Sequence, residues 1–130
     1  FEHLKVAVLG LAFKPGTDDL REAPSIDNIS LLLKNGADIV AYDPVAMDNF
    51  KKKFPEGVVE KGTISYTNQI EEVLKDANIC FIFTEWKEIK KVEPEVFKQL
   101  MRTPLIYDGR NIFDLNKMKE AGVEYYSIGR

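Results

Sequence analysis

The chain has 130 residues, of which 45% are hydrophobic and 30% charged, and a formal net charge of −3. That is enough for one domain with a real core, and the composition is that of a globular protein, not a disordered tail. The balance of charge leaves no face-wide excess of Lys and Arg, which argues against nucleic acid as the main partner. No run approaches about 18 apolar residues, so no membrane partner is expected, and the N-terminus lacks a basic-then-apolar signal pattern. The single cysteine, Cys80, cannot form an internal disulfide, which suits a reducing, cytoplasmic location. Opening on Phe-Glu-His in place of Met suggests a processed or excised fragment.

Taken in chain order, Val6-Ala7-Val8-Leu9 marks a first strand at Lys5–Leu9. A loop over 10–25 follows, and then a helix over 25–34 with Ile26, Ile29, Leu32 and Leu33 on one face. Ser25 reads as its N-cap, with Pro24 just ahead, and Asn35-Gly36 as its stop. Next come a strand at Asp38–Tyr42, a short basic helix over 47–54 and a weaker strand at Gly62–Tyr66. A helix over 68–75 leads to a strand over 79–84, and a helix over 94–101 to a strand over 105–107. A last helix over 114–121, ended by Gly122, precedes a strand at Glu124–Ser127. Helices alternating with buried-looking strands predict one doubly wound α/β domain. Its mostly parallel sheet of five to six strands carries helices on both faces, a Rossmann-like three-layer sandwich.

Such sheets bind ligands beyond the carboxyl ends of their strands, near the switch in strand order. Three segments end there: the 10–25 loop, Thr84-Glu85-Trp86 and Asp108-Gly109-Arg110. The first is much longer than an ordinary βα loop and carries Lys14 and Arg21 among shaping glycines and prolines. Arg110 adds a third cation, so the edge suits a phosphorylated ligand; the alternative for Arg110 is a salt bridge to Asp108 or Asp114. The G-x-G-x-x-G fingerprint is absent, since Gly10 is followed by Leu11-Ala12-Phe13. NAD is therefore not expected to bind this domain in the standard manner, and Asp43 reads as a turn former with Pro44, not as a ribose-binding acid.

Other residues read as structural. Cys80 lies in a run apolar on both faces and reads as a buried hydrophobe, not a nucleophile. His3 has no second histidine for a metal site. Asp18 and Asp19 read as capping and as partners for Arg21 or Lys14, Trp86 as a lid on the core, and Lys51, Lys52 and Lys53 as a solvated face. No complete catalytic constellation remains.

VAVLGLAFKPGTDDLREAPS at 6–25, AYDP at 41–44, FTEW at 83–86, YDGRNIFD at 107–114 and the YYSIGR tail stand in one order. Together they resemble the C-terminal domain of the UDP-glucose/GDP-mannose dehydrogenase family, from about residue 5 to the end. The TEW segment and YDPVAM resemble the bacterial branch that oxidises UDP-glucose. The resemblance implies a three-part, homodimeric enzyme of which this is the UDP-sugar-binding part. An N-terminal domain would bind NAD and a central helical region would join the halves. The family oxidises the sugar C6 alcohol to a carboxylate in two hydride transfers, on a catalytic cysteine that Cys80 does not match. By resemblance, Phe13 and Lys14 contact the substrate, Arg110 contacts the UDP-sugar, and Arg21 reaches the NAD held by the other domain.

Alternatives remain open at this stage: a stand-alone nucleotide-binding or regulatory module, a relative acting on another nucleotide sugar such as UDP-N-acetylmannosamine, or a receiver-like protein. The last is weakened by a first strand that ends in Leu9-Gly10 where receivers carry acids.

Overall fold

The residues Lys5–Leu9 form the central strand, β1, and four of them, Val6 to Leu9, expose no surface. An unbroken apolar run of this kind is what a parallel strand covered on both faces requires. The computed structural model describes residues 1–128; Gly129 and Arg130, the last two residues of the YYSIGR tail, lie outside the described residues. After β1 the chain runs through α1 (Pro24–Lys34), β2 (Asp38–Tyr42), α2 (Met47–Lys53), β3 (Gly57–Val59) and β4 (Gly62–Tyr66). It continues through α3 (Ile70–Leu74), β5 (Ile79–Ile82), α4 (Lys87–Lys90), α5 (Pro94–Leu100), β6 (Leu105–Asp108), α6 (Leu115–Glu120) and β7 (Glu124–Ser127).

The sheet order is β3-β4-β2-β1-β5-β6-β7. Every pairing is parallel except β3 with β4. The doubly wound α/β expectation is met, with seven strands in place of five or six. The extra strand, β3, is a three-residue antiparallel edge joined to β4 through Glu60 and Lys61. Glu60 takes a positive φ of 57° there, without the Asn-Gly signal that announces a tight hairpin.

The chain winds outward from β1 to β2 and β4, then crosses back to β5 and outward again to β7. The order reverses between β1 and β5, so the switch point lies at their carboxyl ends. Helix α1 buries Ile29, Leu32 and Leu33 against the sheet. It begins one residue earlier than expected, because Pro24 fits the first helical position and leaves Ala23 as the cap. Ser25 is therefore no N-cap; it is turned inward and fully buried.

At the switch point the backbone of Gly10 lies against Thr84. A Cβ at Gly10 would stand 2.6 Å from both Cβ and the backbone nitrogen of Thr84, and its φ is +91°. Gly10→Ala therefore meets a steric clash and a left-handed backbone together. The variant is expected to lose about 2–5 kcal/mol of stability, read as a lower urea midpoint. A midpoint equal to wild type would show that Gly10 and Thr84 are not packed this closely in solution.

Candidate functional site

Buried backbone polar groups must find partners, and the segment leaving β1 finds all of its partners in buried places. The Gly10 N–H donates to the Tyr42 carbonyl at 2.7 Å. The N–H groups of Leu11 and Ala12 both donate to Asp43 Oδ2, at 2.7 and 3.0 Å. The carbonyl of Leu11 accepts from Ser25 Oγ at 2.7 Å, and that of Ala12 from Thr84 Oγ1 at 2.6 Å. Ser25, Asp43 and Thr84 are three of the four buried polar residues among those described. They fix the backbone up to Ala12, and Phe13 and Lys14 emerge from it.

The fourth buried polar residue, Asp108, builds a second loop after β6. Its Oδ1 accepts from the Arg110 N–H at 2.7 Å, and its Oδ2 from the Ile112 N–H at 2.8 Å and from the Tyr125 hydroxyl. The Arg110 side chain is thereby aimed back across the sheet edge. Its Nη2 donates to the Phe13 carbonyl at 2.9 Å and to Glu85 Oε1 at 3.3 Å. Its Nε lies 3.0 Å from Glu85 Oε2, an ion-pair contact with the N–H off the line of a hydrogen bond. The alternative for Arg110, a salt bridge, does form, but with Glu85 in place of Asp108 or Asp114: the Asp108 carboxylate is taken up by backbone N–H groups and Tyr125, and Asp114 accepts from Lys117 N–H as the N-cap of α6.

Phe13, Lys14 and Arg110 thus meet at one edge. Phe13 is 37% exposed. Lys14 is exposed, and among the described residues no carboxylate stands within ion-pair distance of it. Arg21 lies on the outer side of the same loop, where Nε and Nη2 fork onto Asp19 at 2.9–3.3 Å. Asp19 is tied back through its carbonyl to the Phe13 N–H at 3.0 Å, and Asp18 is held by Asn49 of α2 at 2.8 Å. Asp19 pairs with Arg21 as expected, whereas Asp18 turns to Asn49 and not to Arg21 or Lys14.

Beside Arg110 opens a recess of about 370 Å³ with an aromatic floor. Phe81, Tyr107 and Tyr126 stack across β5, β6 and β7 with centroids 5.7 and 5.1 Å apart, and Pro24 and Asn28 of α1 form one wall. Neither this row nor the full role of Asp43 was anticipated; the signal for the row is Phe81, half-buried between buried Cys80 and Ile82, with Tyr107 on β6 and Tyr126 on β7. Trp86, by contrast, is buried, and its indole N–H donates to Asp43 Oδ2 at 3.0 Å. Cys80 is fully buried, and burial, with the charge of Asp108 second, pushes its thiol far above the usual range.

The standard dinucleotide site does not fit here. The first amides after β1, which would meet a pyrophosphate, are engaged by Asp43, and the position of the ribose-binding acid is turned inward.

Residues 7–115 match the UDP-glucose/GDP-mannose dehydrogenase family, UDP binding domain. The chain belongs to this family. It is 46% identical over 125 residues to the UDP-glucose 6-dehydrogenase YwqF of Bacillus subtilis, a match that spans 96% of this chain and 27% of the relative. The UDP-glucose 6-dehydrogenase of Pseudomonas aeruginosa is 40% identical over the same shares. Among solved structures, a UDP-glucose dehydrogenase of Pyrobaculum islandicum superposes with a TM-score of 0.75 at 28% identity, covering 97% of this chain and 25% of its own. An NDP-N-acetyl-D-galactosaminuronic acid dehydrogenase of Methanosarcina mazei gives the same TM-score and identity, covering 99% and 25%. The chain therefore spans about a quarter of the length of these family members.

The fork from Arg21 holds the Asp19 carboxyl at about 2, with the Arg21 N–H and, more weakly, the charge of Lys14 adding to it. A carboxyl depressed in this way keeps its pairing above the ordinary carboxylate range and loses it only as pH falls through about 2. Carboxyl NMR titration should place Asp19 near that value, and Arg21→Ala should move it back toward 4 (~3.9 in model peptides). An unchanged titration in Arg21→Ala would show that the fork does not form.

Proposed function

We propose that this chain is the UDP-sugar-binding domain of an NAD-dependent nucleotide-sugar dehydrogenase, with UDP-glucose as the substrate. One observation carries the reading: Arg110, from the β6 loop, reaches the Phe13 carbonyl, so that Phe13, Lys14 and Arg110 converge at the switch point. Lys14 and the guanidinium of Arg110 supply positive charge at this edge, and a diphosphate would compete with Glu85 for the Arg110 fork. The oxidation itself, from C6 alcohol to carboxylate in two hydride transfers, is assigned to the whole enzyme. NAD is assigned to a part outside this chain, because the first turn of this fold is closed to a pyrophosphate. Arg21, on the outer flank of the loop, is the residue proposed to reach that NAD. The 130-residue chain alone should reduce no NAD in the presence of UDP-glucose.

Another nucleotide sugar is the second reading, favoured by the Methanosarcina mazei structure, whose name specifies an N-acetylated sugar. UDP-glucose is preferred because the curated relatives at 46% and 40% identity are UDP-glucose 6-dehydrogenases.

Calorimetric titration of UDP-glucose into wild type, Lys14→Ala and Arg110→Ala tests the site. Each loss of a charged hydrogen-bond partner is expected to cost about 1.5–3 kcal/mol, or roughly 10- to 150-fold in affinity. Added salt should weaken wild-type binding, since part of it is electrostatic. Wild-type affinity in both folded variants would reject the site.

A further inference from the structure

We propose that Asp43 is the positioning residue of this site: its buried carboxylate accepts from two ligand-edge loops at once and so sets where Phe13, Lys14 and Arg110 stand. The inference rests on the nucleotide-binding reading above and adds a residue that touches no ligand.

The two oxygens of Asp43 have different tasks. Oδ1 accepts from the N–H groups of Val45 and Ala46, at 2.9 and 2.8 Å, which is all that an aspartate opening its own turn requires. Oδ2 instead accepts from Leu11, Ala12 and the Trp86 indole, donors 31 to 43 residues away in sequence. A carboxylate with no exposed surface is tolerated only when fully hydrogen-bonded, and three of its five donors come from the ligand edge.

These donors close a circuit. Ala12 precedes Phe13, whose carbonyl accepts from Arg110; Arg110 is paired with Glu85; Glu85 precedes Trp86, whose indole returns to Asp43. The loops after β1, β5 and β6 are therefore held in one relative position, with Asp43 as the member bonded to two of them. In a standard dinucleotide fold an acid at the end of the second strand faces the ribose. Here the same position is turned inward and orders the loops.

Asparagine has nearly the same shape but only one acceptor oxygen, so Asp43→Asn must turn an amide NH₂ toward one set of N–H donors. The test uses ¹⁵N-labelled chain, first without ligand and then titrated with UDP. In Asp43→Asn, the amides of Leu11 and Ala12 should exchange at least about 10-fold faster while Ala7 and Val8 keep their protection. The Kd for UDP, read from the Phe13, Lys14 and Arg110 amides, should rise at least about 10-fold. Trp86→Phe leaves the backbone donors in place; it should shift the Glu85 and Arg110 signals and weaken UDP by a smaller factor, about 3-fold. Wild-type exchange and affinity in Asp43→Asn would overturn the proposal. Should Asp43→Asn fail to fold, Trp86→Phe decides, and unchanged Glu85 and Arg110 signals with unchanged affinity would overturn it equally. Absence of UDP binding to wild type would count against the nucleotide reading alone, and the exchange contrast at Leu11 and Ala12 would then settle the positioning role by itself.

Discussion

A parallel sheet buried on both faces leaves backbone N–H and C=O groups stranded where its central strands end, and those groups must be paired without water. In this chain the need is greatest after β1, whose last four residues expose nothing. Asp43, Ser25 and Thr84 meet it with buried hydrogen bonds of 2.6–3.0 Å to Leu11 and Ala12. Without that clasp the segment could not stay inside, and the side chains that follow it would have no fixed origin. Asp108 does the same for the loop that carries Arg110. Each of the two loops that carry the proposed site is thus built on a buried aspartate.

The arrangement separates two roles that acids and bases often share. The buried aspartates accept from backbone N–H groups, Tyr125 and Trp86, and none is paired with a cation of the site. Arg110 is oriented by Glu85 and the Phe13 carbonyl, and Lys14 stays exposed. In the proposed site the guanidinium of Arg110 is already held and would lose little conformational freedom on meeting an anion, whereas Lys14 is anchored through its backbone alone. Arg21 differs: its fork onto Asp19 lies at the surface, where ion pairs are weak and can be exchanged for another anionic partner.

Much of this was legible in the chain. Apolar runs placed β1, β2, β4 and β7 at their observed bounds, and the cations of the 10–25 loop and of Asp108-Gly109-Arg110 pointed to the edge where the site is proposed. Family membership follows from the same motifs. What escaped reading depended on contacts distant in sequence. Asp43 looked like a turn former because Pro44 follows it, and that role is real through Oδ1, but its three other donors lie 31 or more residues away. Ser25 looked like a cap because local pattern could not weigh Pro24 against it. The β3 edge carried no turn signal, and the pairing of Arg110 with Glu85 joins loops that only the β5–β6 register brings together.

The most direct measurement is a crystal structure of this chain with UDP. The account predicts the diphosphate in contact with Lys14 and Arg110 at the carboxyl ends of β1 and β6, with the backbone of residues 10–13 and the five donors to Asp43 unmoved. A nucleotide lodged only in the aromatic recess over Tyr107 and Tyr126, away from Lys14, or a 10–13 segment rebuilt around the ligand, would contradict it.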